Sequence, residues 1–315
     1  MGASDRFADD LARLTNPDDR IGLAVSGGPD SLALLLLAQK VAPDRIEVAT
    51  VDHGLRPEAT DEAAFVASLC AARGIVHHTL AARWQDGKPQ SNVQAQAREK
   101  RYELLARWAA DEGLMTIATA HHRDDVIETF LMRALRGAGA PGLAAMPRKR
   151  VLRDGIMLIR PLLDWSRAEL ESLVADAGIQ PVEDPSNRDS SYDRARLREA
   201  LSRADLGNLA QIAASASHLR EAEDALDWTT AHLAQDRLTE TDNGWAVDHA
   251  TVPRDLLRRL LLVGFERLGD RPPRGPDLAR AMETLENGGK CVLGATLLEA
   301  EGDLWSLSPA PARNA

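Results

Sequence analysis

The chain has 315 residues, 44% of them hydrophobic but only 4% aromatic, and a formal net charge of −10. This length suits one large domain with an appendage, or two domains, and a core of Leu, Ala, Val and Ile suits helices packed on a parallel sheet. Two lone cysteines, Cys70 and Cys291, give no support to a disulfide framework, a zinc ribbon or an iron–sulfur site, and the acidic balance argues against indiscriminate nucleic-acid binding by the whole surface.

In chain order, Met1 to Arg6 lack the charged-then-apolar pattern of a signal peptide. Ile21 to Val25 reads as a buried strand, followed by a helix over Ser31 to Lys40. The apolar run inside that helix, Leu32 to Ala38, is far short of the roughly 20 residues that cross a bilayer, so a soluble cytoplasmic protein with no membrane partner is expected. A strand over Ile46 to Asp52, a helix over Glu58 to Arg73 and a strand over Ile75 to Leu80 follow. Ser91-Asn92-Val93-Gln94 has capping-box spacing and opens a helix to about Glu112. Met115 to Ala120 is a fourth strand, Arg123 to Arg136 a helix and Met157 to Ile159 a fifth strand. Ser166-Arg167-Ala168-Glu169 is a second capping box, on a helix that stops at Gly178. This alternation predicts an α/β fold, a Rossmann-like parallel sheet with helices on both faces.

Gly137 to Pro147 reads as a flexible loop within a basic run. Arg133, Arg136, Arg148, Lys149, Arg150 and Arg153 lie there with no acidic residue between them, a local patch that suits a polyanion as well as it suits an ordinary solvated loop. The smaller, mainly helical α+β domain is placed at 202–315, with a helical linker over 202–240 and a small α+β unit over 244–308. That unit is read as a strand near Trp245 to Val247, helices over about Pro253 to Leu268 and Gly275 to Asn287, and a strand pair around Val292 to Leu307. The tail from Ser308 reads as disordered.

The sharpest chemical signal is Ser26-Gly27-Gly28-Pro29-Asp30-Ser31, set directly between a strand and a helix. Two glycines let backbone amides approach an anion, the helix N-terminus adds partial positive charge, and the two hydroxyls can donate to phosphate oxygens. Asp30 would repel a phosphate unless a cation such as Mg²⁺ bridged them. The Gly-Lys-Ser/Thr ending of a Walker loop is missing, so γ-phosphate transfer is not expected. The ordinary alternative is a strand–turn–helix corner with a polar cap.

Asp52, His53 and Arg56 end the second strand and should border the same crevice, because ligands sit at the carboxyl ends of parallel strands. After the fourth strand comes Ala120-His121-His122-Arg123-Asp124-Asp125-Val126-Ile127-Glu128-Thr129. There Asp124 and Glu128 share a helical face, with Asp125 beside Glu128. Such carboxylates can hold a hard metal or a cationic substrate, or can simply cap a helix.

These motifs together resemble the tRNA(Ile)-lysidine synthetases, a branch of the PP-loop ATP pyrophosphatases. The resemblance also takes in Ala97 to Tyr102, Arg136 to Gly139, Ile159 to Leu163 and Glu183-Asp184-Pro185-Ser186-Asn187, and so covers about residues 20 to 200. It departs from the family at Ala195, where many relatives carry asparagine within the arginine-rich stretch Tyr192 to Arg198. The resemblance implies a catalytic domain over 1–201 and a tRNA-binding appendage beyond it. Its implied reaction converts the wobble cytidine of a CAU-anticodon tRNA(Ile) to lysidine, with ATP, Mg²⁺ and free L-lysine. Ser26 to Ser31, Asp52, His53 and Arg56 would bind ATP. Asp30, Asp125, Glu128 and Arg194 would be catalytic, with Asp30 and Asp125 toward the metal. Arg98, Arg101 and Asp124 would meet lysine or phosphate, and the basic run the tRNA, joined by Arg254, Arg258 and Arg259. Oligomeric state stays open, a homodimer included. A cytidine 2-thiolase, a small-molecule amide ligase and a non-catalytic tRNA-binding module are the competing readings.

Overall fold

The computed structural model describes residues 2–55, 58–84, 87–89, 91–182, 193–203 and 208–311. These residues form two compact units, Met1–Arg220 and Glu221–Ala315. The division falls inside a long helix, α9 (Ala210–Arg237), within the stretch read from sequence as a linker. No helix among the described residues is long and apolar enough to cross a membrane.

The first unit opens with α1 (Ala3–Ala12). It continues through β1 (Ile21–Ala24), α2 (Pro29–Val41), β2 (Ile46–Asp52), α3 (Glu58–Ala72), β3 (His77–Ala81), α4 (Val93–Asp111) and β4 (Thr116–Ala118). Then come α5 (Arg123–Ala134), the short α6 (Ala140–Leu143), β5 (Lys149–Arg153), β6 (Ile156–Ile159), α7 (Arg167–Asp176) and α8 (Asp193–Arg203). The strands form one sheet in the order β3-β2-β1-β4-β6-β5, parallel except for the edge strand β5.

Alternating side chains bury both faces of this sheet. Ile21, Leu23, Val48 and Ile159 meet the layer built by α1, α2 and α7, together with Val66 and Cys70 of α3. Ala49, Ile117 and Leu158 face α4 through Leu105, Trp108 and Ala109. Gly22 is required where the Trp108 ring closely approaches β1, since a Cβ there would sit 2.6 Å from Trp108 Cζ3.

Several local expectations change. The capping box at Ser91 does not form: Asn92 is the N-cap with φ of 48° and no side-chain cap, and Gln96 Nε2 donates to the Ser91 carbonyl. The helix starts one residue later than the box requires, so N3 is Ala95, which has no polar side chain to reach back, and Gln94 falls at N2. The second box does form, with Ser166 Oγ accepting from Glu169 N and Glu169 Oε2 accepting from Ser166 N at 2.7 Å. The supposed loop Gly137 to Pro147 contains α6, and the basic run ends in a strand. Its hairpin turns on Asp154 and Gly155, both at positive φ, and Asp-Gly is the pair that favours such a two-residue turn.

The second unit pairs five antiparallel strands in the order β7-β8-β11-β10-β9, where the sequence pattern showed only three. They are β7 (Leu238–Thr241), β8 (Gly244–Asp248), β9 (Lys290–Leu293), β10 (Thr296–Glu301) and β11 (Leu304–Pro309). Helices α10 (Arg254–Arg267) and α11 (Gly275–Glu286) cover one face. Leu257, Leu260, Phe265, Leu278 and Met282 pack there on Val247, Leu298 and Leu307. Ser308 and Pro309 pair with Leu297 and Thr296, so the expected disorder does not begin at Ser308.

Candidate active site

Strand order reverses between β1 and β4: the chain leaves β1 toward β2 and β3, and leaves β4 toward β6 on the other side. Such a reversal splays the two connections apart and opens a crevice at the strands' carboxyl ends. The loop after β1 and the start of α5 both lie there.

The loop is built by its own residues. Gly27 has φ of +85°, and its carbonyl accepts from Val182 N at 3.0 Å. A Cβ on Gly27 would lie 3.2 Å from Val182 Cγ2, so glycine is needed for both conformation and space. Gly28 is the N-cap of α2 and Pro29 its first residue, a pairing that presets the helix without using up a backbone donor. Ser31 Oγ accepts from Ser26 N at 3.1 Å and donates to the Gly28 carbonyl at 2.9 Å, and the two serine hydroxyls lie 3.3 Å apart. The result is a rigid cradle of amides and hydroxyls at a helix N-terminus, which is an anion-binding arrangement.

Asp30, in the first turn of α2, points across the crevice. Its Oδ2 lies 3.4 Å from Nε2 of His122, which is buried at the N-cap of α5. The same imidazole approaches Asp124 at 3.6 Å and Asp125 at 3.7 Å. Burial works against its charge, but the hydrogen-bonding and Coulombic pull of Asp124, Asp30 and Asp125 wins and raises its pKa to about 9. His122 thus lies at ion-pair distance from three carboxylates, where the α2 and α5 termini meet, although neither ring nitrogen meets any of them with hydrogen-bond geometry. Asp30 Oδ1 is buried and has no hydrogen-bond partner.

Glu128 lies one turn further along α5 and is only 3% exposed. Its oxygens accept from Arg194 Nε and from Arg198 Nε and Nη2 on α8. Arg194 Nη2 also donates to Asp125 Oδ1 at 2.6 Å, while Asp125 Oδ2 accepts from His122 N. Burial alone would raise the Glu128 pKa; the two guanidiniums overcome it and hold the carboxyl below its ordinary value. A cation at Glu128 would have to displace an arginine.

A second group lies on the α4 side. The guanidiniums of Arg98, Arg101 and Arg150 all sit 4.9–5.3 Å from the Tyr102 ring centre. Arg101 Nε, Arg160 Nε and the Tyr102 hydroxyl are buried without hydrogen-bond partners. His121, bonded to Thr119 Oγ1 at 2.9 Å, is driven well below its ordinary pKa by burial and by Arg160, Arg98, Arg101 and Arg194. Several guanidiniums with orphaned donors around an imidazole whose charging is disfavoured have the chemistry that an anion would need.

Asp52 caps its own loop, accepting from Gly54 N at 2.8 Å and Thr60 Oγ1 at 3.0 Å, and the His53 carbonyl accepts from Trp84 Nε1. Arg56 and Glu183 to Asn187 lie outside the described residues. Strand alternation divides the basic run: Arg150 faces Tyr102, whereas Lys149 and Arg153 are exposed. Arg133 donates to the Gly142 carbonyl, and Arg148 makes a two-bonded pair with Asp164. Arg136, in the turn after α5, is exposed. Arg254 pairs with Glu286 and Arg258 with Asp255. Arg259 is buried, and its three donor groups go to Asp255, Asp227 and Glu223, so it is a core anchor and not a backbone contact. Arg160 and Arg198 fall within motifs that the sequence marks, but neither carries a specific role there. Arg198 was findable, since it shares a helical face with Arg194 at four-residue spacing.

Comparison with known proteins matches this geometry. A sequence profile for the PP-loop domain fits residues 4–204. The chain is 46% identical to the tRNA(Ile)-lysidine synthase of Novosphingobium aromaticivorans, covering 98% of this chain and 94% of that one. The namesake enzyme of Zymomonas mobilis is 40% identical over 93% of this chain and 89% of its own. That of Ruegeria pomeroyi is 43% identical, over 91% and 70% respectively. Among solved structures, the U34-tRNA thiolase NcsA from Methanococcus maripaludis shares the fold, with a TM-score of 0.57 at 18% identity, covering 69% of this chain and 78% of that chain. With its loop, its strand reversal and its near full-length relatives in agreement, the chain belongs to the tRNA(Ile)-lysidine synthase family of PP-loop proteins.

Proposed function

We propose that this chain joins L-lysine to C2 of the wobble cytidine of a CAU-anticodon tRNA(Ile), splitting ATP into AMP and pyrophosphate. The observation that carries the reading is the contact between Asp30 and His122, which closes the phosphate-type loop of β1 onto the carboxylate-rich start of α5. One crevice thus presents an anion cradle and a set of acidic groups, the two things that a nucleotide and an amine need.

In the first step the cytosine O2 attacks the ATP α-phosphorus and pyrophosphate leaves. Without this step, a carbonyl oxygen is too poor a leaving group. The amides of the loop and the hydroxyls of Ser26 and Ser31 stabilise the charge that builds on the departing pyrophosphate. Asp30 Oδ1, a buried carboxylate oxygen with no hydrogen-bond partner, fits a Mg²⁺ ligand, and Asp125, which approaches the same His122 Nε2, would be the second carboxylate. When bound there, Mg²⁺ would neutralise phosphate charge. In the second step the lysine ε-amine attacks C2, AMP carries away O2, and the amine loses a proton. Asp124 and Asp125 are the carboxylates for the ammonium, and Glu128 reaches it only by releasing Arg194 or Arg198. Arg98 and Arg101 would take the lysine carboxylate or a phosphate, and Arg194 would exchange its carboxylate partners for a substrate anion. The cytosine must leave its stack to react. Lys149 and Arg153 offer exposed charge to the RNA backbone. Cytoplasmic residence follows from this substrate.

The test supplies radiolabelled lysine, ATP and a tRNA(Ile) transcript with C34. Label in the RNA, dependent on ATP and absent with a U34 transcript, supports the reading. Label entering without ATP, or no label at all from a folded protein, overturns it.

A further inference from the structure

At the opposite, amino-terminal edge of the same sheet lies a cluster the reaction does not use. Glu47 is at the start of β2, His78 is in β3, and Glu112 is the C-cap residue of α4. Nε2 of His78 is 3.7 Å from Glu47 Oε2, and its Nδ1 is 3.8 Å from Glu112 Oε1. One ligand atom from each of the three residues can be chosen so that all lie within 4.8 Å of one another. His78 Nε2 is buried and has no hydrogen-bond partner, an orphaned polar atom facing the Glu47 carboxylate.

We propose that Glu47, His78 and Glu112 form a binding site for a divalent transition ion of the Zn²⁺ class. An imidazole nitrogen with two carboxylates suits Zn²⁺ or Co²⁺, whereas Mg²⁺ and Ca²⁺ prefer all-oxygen shells. Arg20 takes only one oxygen of Glu47, donating to Oε1 and to the Glu112 carbonyl, and so leaves Oε2 aimed at His78. The Trp108 ring packs against the imidazole in a tilted contact, with centroids 5.7 Å apart. The C-terminus of α4 adds the negative end of its helix dipole. A tetrahedral ion at about 2.1 Å from each donor needs them about 3.5 Å apart, so the site closes by about an ångström. Glu112, at 37% side-chain exposure, is free enough to make that move, and water would complete the shell. An ion there ties β2, β3 and the end of α4 together and stabilises the fold by mass action, remote from the crevice.

The experiment titrates CoCl₂, and then ZnCl₂ in competition, into EDTA-stripped full-length protein with MgCl₂ in excess. One Co²⁺ per chain is expected, with visible d–d absorption bands that Zn²⁺ abolishes and a raised Tm. Affinity should fall at least roughly tenfold in His78→Ala and in the conservative Glu112→Gln. It should be unchanged in Asp30→Ala, which separates this ion from any at the loop. No Co²⁺ binding, equal binding in all variants, or bands lost only in Asp30→Ala each overturn the proposal.

Discussion

His122 Nε2 lies 3.4 Å from Asp30 Oδ2, a contact that joins the N-terminus of α5 to that of α2 across the strand reversal. Neither helix end carries this charge alone. The imidazolium is buried and compensated by three carboxylates, so it binds two motifs distant in sequence into one rigid wall of the crevice.

Removing the Asp30 carboxylate tests whether the loop acts through it. Asp30→Ala should lower the rate of tRNA-dependent pyrophosphate release by about 10²–10³-fold, the usual effect of losing one charge-stabilising group. Circular dichroism should stay native, because Asp30 is only partly buried. Full activity in this variant would end the proposed metal role.

Exposed charge on β5 should serve the RNA and not the chemistry. Lys149→Glu and Arg153→Glu are expected to weaken tRNA binding and to reduce the salt dependence of affinity by about one phosphate contact per site. Filter binding at several salt concentrations reads this directly. Arg148→Glu should behave differently, since Asp164 already occupies its guanidinium.

The α7 cap gives a pH dependence with a definite sign. Burial would raise the Glu169 pKa, but Ser166 and Arg6 outweigh it and hold the carboxyl below its ordinary value of 4.5. A depressed folded pKa means that the stabilisation is complete above 4.5 and disappears as pH falls through the lower folded value. Urea titrations between neutral pH and pH 3 should therefore show an acid loss that is smaller in Glu169→Gln. Ser166→Ala should cost about 1 kcal/mol at neutral pH.

Gly22→Ala tests the packing of the sheet on α4. The added methyl would lie 2.6 Å from the Trp108 ring, an overlap expected to cost about 1–3 kcal/mol. Thermal unfolding of Gly22→Ala, Trp108→Phe and the double variant should give less than additive losses, because the smaller ring vacates the space. Additivity would mean that the two do not touch.

The cysteines offer a check on the thiolase alternative. Burial lifts the Cys70 thiol to about 11 despite nearby Arg73, and the side chain is fully enclosed by the core. At pH 8 a thiol reagent should leave Cys70 unmodified in native protein and modify it only in denaturant. Cys70→Ala should retain lysine transfer. Loss of activity with the fold intact would revive sulfur chemistry.

Much of this site was legible in the chain. Ser26 to Ser31 announces its cradle through residues that decide their own backbone: a glycine at positive φ, a proline at the first helical position and serines that bond within the turn. The Asp-Gly turn at residues 154–155 carried the same kind of local signal for β5, although the basic residues around it read more strongly as a loop. The destinations of the charges were not legible. Glu128 looked like a ligand for a cation until α8 brought Arg194 and Arg198 onto it, and Arg259 looked like a surface arginine until three carboxylates enclosed it.

The amino-acid sequence by itself determined the alternation of strands and helices, the anion cradle and the family. Each of these is written in residues a few positions apart, where periodicity and dihedral preference act. Only the tertiary structure decided which carboxylate meets which guanidinium, and that His122 would be charged while His121 stays neutral. Those outcomes depend on strand order and helix docking: burial makes a charge costly, and only the neighbours that the fold delivers can compensate it.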